Sequence, residues 1–358
     1  MKAGGRVGAG ISGREALRLT AWVWALTAVF ASVALLRSEH LGIPFRDPGG
    51  AMFRGRLGTA FTLLLVFALA DALRRAVRLR PLGWSWSDVG RHLRERWTPQ
   101  RVLLVCSGLL AYHVVYISYR NLKSWDAFNT PLDQELLAIE RWFLLGHSPA
   151  VLLHGLLGEG QAAVVLAVVY RSFTYLVPLS VVGTLALLPR VREAYVMLCS
   201  ALWVWILGVG SYYLVPSLGP FASAPEEFAG LRPTAISATQ VKYLAERAHF
   251  LADPHAGDAF VSISAFASLH VGFTCTVLLV ARYYRWRRTT LALATFLSVT
   301  MVATVYFGWH FVVDDIAGVV LALAAFTLGR LMVYPVRNGD RSVADGSHAG
   351  EDDVVAST

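Results

Sequence analysis

One histidine and two adjacent aspartates interrupt an apolar and aromatic stretch near the end of the chain, VYFGWHFVVDDIAG at residues 305–318. Ionisable groups are costly in hydrocarbon, so His310, Asp314 and Asp315 each need a partner or a function. His310 and Asp314 are four residues apart, and helical geometry would place them on one face, about 5–6 Å apart at Cβ. The carboxylate could then accept the Nδ1 proton, fix the tautomer and raise the basicity of the other nitrogen. A histidine nucleophile requires that activation.

A second histidine, His270 in SAFASLHVGF, lies about forty positions earlier, also beside an apolar run. A protonated imidazole can donate to a leaving oxygen. A phosphoryl group attacked by one histidine and released with help from the other is therefore a coherent reaction. It needs no metal ion, and the sequence predicts no cofactor.

The elements that must position these residues are membrane-spanning helices. The chain has 358 residues, 56% of them hydrophobic, and a mean hydropathy of +0.52, whereas soluble domains are about 45–50% apolar. Repeated apolar runs of membrane-spanning length predict an all-α, polytopic transmembrane bundle. We expect eight spans, at residues 19–37, 57–76, 101–119, 162–188, 195–215, 263–282, 289–309 and 313–333. This topology brings His270, His310 and Asp314 to one membrane face.

Arginine distribution predicts the orientation. The net charge is +8, and arginine clusters at 74–80, 91–96, 189–192 and 282–288 fall in alternate loops, which should be cytoplasmic together with both termini. Arg46, Arg54 and Arg56 are exceptions in the first outer loop. The arginines cluster beside apolar spans, as membrane topology requires, so nucleic acid is not an expected partner. The predicted location is the cell membrane, with the histidines on the extracytoplasmic side.

The predicted organisation has four parts. Residues 1–18 form a cytoplasmic tail, 19–100 two accessory spans with a basic loop, 101–333 a six-span core, and 334–358 a polar, disordered tail. The outer loop at 120–161 carries amphipathic helical spacing, which is compatible with a helix in the membrane interface or with one packed on the bundle.

Other polar and aromatic residues have structural interpretations. We expect His113 to be a hydrogen-bonded core residue, His147 and His154 to be solvated, and an aromatic belt formed by Tyr212, Tyr213, Trp309 and Phe311.

Two of these segments resemble known motifs. ASLH (267–270) and ATVYFGWHFVVD (303–314) resemble P-S-G-H and S-R-x5-H-x3-D, the second and third motifs of the type-2 phosphatidic acid phosphatase superfamily. The GWHFVVDDIAG context is most similar to its inositol phosphorylceramide synthase branch, also called aureobasidin-resistance-like, over about residues 101–333. The resemblance implies that His310 forms a phosphohistidine, Asp314 orients it, His270 is the general acid and Ser268 binds a phosphate oxygen. It assigns no role to Asp315, which we interpret as a charge favourable at a helix N-terminus.

The departures from these motifs concern positive charge. Ala303-Thr304 replaces the Ser-Arg pair, and the first motif, K-x6-R-P, is only partly matched by Lys123 and by Arg232. A phosphate in a dry site still needs cations, and the candidates are Arg120, Lys123, Arg171 and Arg232. Arg171 lies inside the fourth predicted span, where an arginine usually faces a cavity or a partner.

The function predicted from these residues is a metal-independent lipid phosphotransferase or phosphatase. Its partners would be a membrane lipid phosphate and an alcohol acceptor such as inositol, with transfer favoured over hydrolysis of a lipid phosphate or polyprenyl diphosphate. A transporter or channel and a catalytically inactive membrane scaffold are the alternatives from other classes.

Overall fold

The computed structural model describes residues 11–79 and 83–335, and these contain helices and no strand. The all-α prediction is therefore confirmed for this part of the chain. The helices are α1 (Gly13–Leu41), α2 (Arg56–Leu79), α3 (Trp86–Arg96), α4 (Pro99–Trp125), α5 (Asp133–Phe143), α6 (Pro149–Leu157), α7 (Gln161–Leu187), α8 (Val191–Leu214), α9 (Pro220–Ser223), α10 (Ala235–Ala252), α11 (Leu269–Tyr283), α12 (Arg287–Tyr306) and α13 (Val312–Val333). Residues 1–10 and 336–358 of the predicted tails lie outside the described residues, and residues 13–18, predicted as part of the first tail, belong to α1.

Seven helices of the described chain are long and apolar enough to cross a membrane, namely α1, α2, α4, α7, α8, α12 and α13. The sixth predicted span differs, because α11 has fifteen residues and begins at Leu269. Its length of about 22 Å is less than the hydrocarbon thickness of about 30 Å. The residues just before it are not helical, since Ala265 donates to the carbonyl of Ser217 (2.8 Å) and Ala267 to the Ser211 hydroxyl (2.9 Å).

One end of the bundle is held together by arginines. Arg101 donates to the carbonyls of Leu185 and Leu188 at the C-terminus of α7, both at 2.9 Å. Carbonyls in the last turn of a helix have no partner within the helix, so a guanidinium there satisfies them. Arg192 at the start of α8 forms an ion pair with Glu15 of α1 at 2.6 Å. The N-termini of α1, α4 and α8 and the C-terminus of α7 thus share this end.

The loop helices cover the opposite end. The predicted amphipathic helix at 120–161 consists of α5 and α6, and both pack on the bundle. The side chains of Trp142 and Phe143, at the end of α5, are nevertheless 73% and 71% exposed. The solvated position predicted for His154 is wrong: its side chain is buried and its Nε2 lies 2.8 Å from the Tyr306 carbonyl.

Glycines allow α11 and α13 to approach closely. A Cβ built on Gly318 would lie 2.5 Å from the carbonyl oxygen of Ser268 and 3.2 Å from the nitrogen of Gly272. Any side chain at position 318 would therefore push the two helices apart. Since His270 is on α11 and Asp314 on α13, this contact sets the distance between the candidate catalytic groups.

Candidate active site

His310 lies in the short connection between α12 and α13. Gly308, with a φ of +66°, turns the chain after α12, and its carbonyl accepts from the backbone of Phe221 at 2.9 Å. Asp314 is in the first turn of α13, where its Oδ2 accepts from the backbone of Phe311 at 3.0 Å. The same oxygen is 3.4 Å from His310 Nδ1. This is longer than an ordinary hydrogen bond, but catalytic contacts commonly tighten when the substrate binds.

His270 is brought to the same place by the start of α11. Ser268 immediately precedes that helix, and its backbone N–H donates to the carbonyl of Asp314 at 3.0 Å. The two imidazole ring centroids are 6.3 Å apart. The Tyr170 and Phe173 rings pack against the His270 ring, each at a centroid distance of 4.2 Å. The structure therefore brings together His270, His310 and Asp314.

Both histidines line a cavity of about 330 Å³ that also contains several cations. Its cationic side chains are Arg56, Arg120, Lys123 and Arg171. Three of these were candidates from the sequence, and Arg171 reaches the cavity from within α7, as its intramembrane position suggested.

Two other candidates do not line the cavity. Ser268 is fully buried at the start of α11 and, unlike the adjacent Leu269 and His270, does not line the cavity. Arg232 is exposed, and its backbone N–H donates to the carbonyl of Glu159 at 3.0 Å. Arg232 therefore lies outside the cavity that both histidines line.

The electrostatic environment keeps His310 neutral. Burial lowers the pKa of His310 from 6.5 to about 3, and the positive charge of Lys123 lowers it further. At physiological pH the ring is therefore unprotonated, which is the form that can attack an electrophile.

The position of the missing motif arginine is occupied by a buried hydrogen bond. Thr304 is fully buried, and its hydroxyl donates to Asp315 Oδ2 at 2.8 Å. Asp315 is in the first turn of α13, as expected, and it also links α12 to α13. Positive charge in the cavity comes instead from α2, α4 and α7.

Two functional features were missed in the sequence. Glu140 of α5 is buried, and its Oε1 accepts from the backbone of Val312 at 2.6 Å, so it caps α13 from another element. Burial raises the pKa of Glu140 to about 7. From the sequence alone, Arg56 was only an exception to the rule that arginines lie in cytoplasmic loops. An arginine that departs from this rule is itself a sign of a role other than setting the membrane orientation.

The predicted aromatic belt is wrong for three of its four residues. Tyr212, Trp309 and Phe311 are 2%, 6% and 0% exposed, so they belong to the protein interior. Trp309 lines the cavity, and its ring is stacked parallel to that of Tyr170 at 6.0 Å. His113 is a buried core residue with Nδ1 2.7 Å from the Leu109 carbonyl, as predicted.

Fold and cavity together define a multi-pass helical bundle with a histidine-containing basic cavity at one end. The sequence model of the PAP2 superfamily matches residues 134–328, more than half of the chain. The chain belongs to this superfamily, whose members are typically phosphatases or phosphotransferases. The matched range contains both histidines and Asp314 but begins after α4. Among curated proteins and solved structures, none matches this chain significantly.

Proposed function

We propose that this protein is an integral membrane lipid phosphotransferase or phosphatase that works through a phosphohistidine at His310. The observation that supports it best is the 6.3 Å separation of two imidazoles beside one basic cavity. Asp314 stands 3.4 Å from the Nδ1 of one of them. A metal-free transfer of phosphate needs this combination of nucleophile, orienting carboxylate, general acid and cations.

The proposed first step is attack by the His310 nitrogen remote from Asp314 on phosphorus. A nitrogen–phosphorus bond forms, the bond from phosphorus to the leaving oxygen breaks, and His270 gives that oxygen its proton. His270 must be protonated for this step, and the negative charge of a bound phosphate favours its charged form. In the second step a hydroxyl attacks the phosphohistidine, the nitrogen–phosphorus bond breaks, and the hydroxyl proton passes to His270.

The attacking hydroxyl decides the reaction class. An alcohol such as inositol gives head-group transfer, and water gives hydrolysis. The resemblance of GWHFVVDDIAG to the inositol phosphorylceramide synthase branch favours transfer. Lipid phosphate or polyprenyl diphosphate hydrolysis is the other outcome of the same chemistry.

The proposed location of the reaction is the outer leaflet of the cell membrane. Arg101 and Arg192 stabilise the opposite end of the bundle, and arginine-rich ends of membrane bundles are usually cytoplasmic. A cysteine replacing exposed Glu226 should react with an impermeant maleimide on intact cells, while one replacing Arg287 should not. The reverse labelling would place the cavity in the cytoplasm.

The activity test is lipid turnover by the full chain in detergent, with phosphate release and head-group exchange measured separately. His310→Gln should lower turnover by at least about 10²-fold, because it removes the nucleophile. His147→Gln is the matched control, since that histidine is exposed on the loop after α5. Turnover by His310→Gln equal to that of the wild type would contradict the assignment of the nucleophile, and absence of turnover in both proteins would favour a transporter or an inactive scaffold.

A further inference from the structure

The cavity contains more positive charge than one phosphate needs. Within residues 11–79 and 83–335, none of Arg56, Arg120, Lys123 and Arg171 is within ion-pair distance of a carboxylate. A phosphate monoester carries about two negative charges. Arg56 and Arg171 are exposed, whereas Arg120 and Lys123 are half-buried, and like charges gathered around one cavity repel one another unless an anion binds between them. Four such side chains therefore indicate a ligand, or a pair of ligands, with more than one anionic group.

These cations fall into two places in the cavity. Lys123 Nζ lies 5.0 Å from the centroid of the Tyr212 ring, and its charge lowers the pKa of the His310 imidazole. The Arg56 guanidinium instead lies over the Tyr116 ring, which is about 10 Å before Lys123 along α4. Arg120 lies between these two positions on the same helix.

Aromatic rings and a hydroxyl hold the two arginines in place. The Arg56 guanidinium carbon lies 4.4 Å from the centroid of the Tyr116 ring. Arg120, one turn further along α4, donates to the Ser262 hydroxyl at 3.0 Å. A cation over an aromatic face keeps its donors available for an anion, and arginine is suited to bidentate phosphate recognition.

Arg56 also explains what the N-terminal helices contribute. It is the first residue of α2, and both it and Arg120 precede the range 134–328 that the PAP2 superfamily matches. The part of the cavity near Tyr116 is therefore formed by α2 and α4, which precede the residues that the family model matches.

We propose that Arg56 and Arg120 form a second anion subsite, which binds a second phosphate-type group while the first faces His310. This deepens the proposed function and rests on it for the role of the first phosphate. The second group belongs to a donor lipid with two phosphates or to a phosphorylated alcohol acceptor, and both present the same chemistry to the arginines.

The direct test measures, by equilibrium dialysis, how many inorganic phosphate ions bind to the purified full chain in detergent. The wild type should bind two phosphates per chain, and Arg56→Gln should bind one. Arg56→Lys should keep the second site with weaker affinity, and Arg54→Gln, at an exposed neighbour that does not line the cavity, should bind two. One phosphate on the wild type, or two on a folded Arg56→Gln, would overturn the proposal. Phosphate binding needs no turnover, so loss of the proposed activity and loss of the subsite are distinguishable.

A kinetic comparison identifies which molecule carries the second group. Arg56→Gln should raise KM for a two-phosphate lipid about ten-fold more than for a one-phosphate lipid, because a hydrogen bond to a charged group is lost. If this difference is seen with water as acceptor, the donor lipid carries the second phosphate. If only the KM of a phosphorylated alcohol rises, the acceptor carries it. If the KM rose equally for all lipids and alcohols, whether they carry one anionic group or two, a separate subsite would be contradicted.

Discussion

Replacing Gly318 by alanine should separate the two halves of the candidate site. The added Cβ would lie 2.5 Å from the Ser268 carbonyl oxygen, while ordinary contact begins at 3.4 Å. The helices α11 and α13 must then part by roughly 1 Å, and overpacking of this kind typically costs about 1–3 kcal/mol. Ser268 immediately precedes α11 and its carbonyl accepts from Gly272, so the backbone cannot yield without moving His270.

The catalytic effect should exceed the effect on stability. A misplacement of about 1 Å between reacting groups can lower a rate roughly 10²-fold. We expect Gly318→Ala to lower the thermal unfolding midpoint in detergent and to lower lipid turnover by about two orders of magnitude. The control is Gly210→Ala on α8, where an added Cβ meets no atom within 4 Å and alanine should raise helix stability by up to about 1 kcal/mol. A Gly318→Ala protein with the turnover and unfolding midpoint of Gly210→Ala would refute the idea that this helix contact positions the site.

Three further substitutions test individual groups. Asp314→Asn keeps a backbone-capping oxygen for α13 but removes the carboxyl group beside the nucleophile, so turnover should fall about 10²–10⁴-fold; exposed Asp258→Asn should not change it, and equal rates in both would be a contradiction. Burial raises the pKa of Glu140 from 4.5 to about 7. Between these pH values the folded state holds a proton that the unfolded state has lost, so the free energy of unfolding falls as the pH rises through this range. Glu140→Gln should remove roughly 1–3 kcal/mol of that fall. If the unfolding midpoints of the wild type and Glu140→Gln changed with pH in parallel, the raised pKa of Glu140 would be contradicted. Arg171→Gln should raise KM for lipid phosphate by about ten-fold, and Arg232→Gln, at a residue that does not line the cavity, should not; the opposite ranking would reassign the phosphate contact.

The helical bundle was predictable because its apolar runs are long and continuous. The proximity of His310 to Asp314 was also predictable, since it depends on local spacing, although His310 lies in the connection before α13 and not on a helix. The residue at which α11 begins was not predictable. Residues 263–268 are mostly apolar and so look like part of a membrane span, but their backbone N–H groups donate to the hydroxyls of Ser211 and Ser217.

Contacts between distant elements explain the other differences. Glu140 caps α13 although 172 positions separate it from Val312, and no local pattern marks such a cap. Arg56 reaches the cavity only because α2 packs beside α4 at Tyr116. His154 and Trp309 looked suited to the surface by residue type, but loop packing buries both.

The central claim is that His310 becomes covalently bonded to phosphorus. The most direct measurement is to quench the full chain during turnover of a lipid labelled at phosphorus and to locate the label by mass spectrometry under alkaline conditions, in which phosphohistidine survives. The account predicts label on the peptide containing His310, and none in His310→Gln. Label on another residue, or sustained turnover without any phosphorylated histidine, would contradict it.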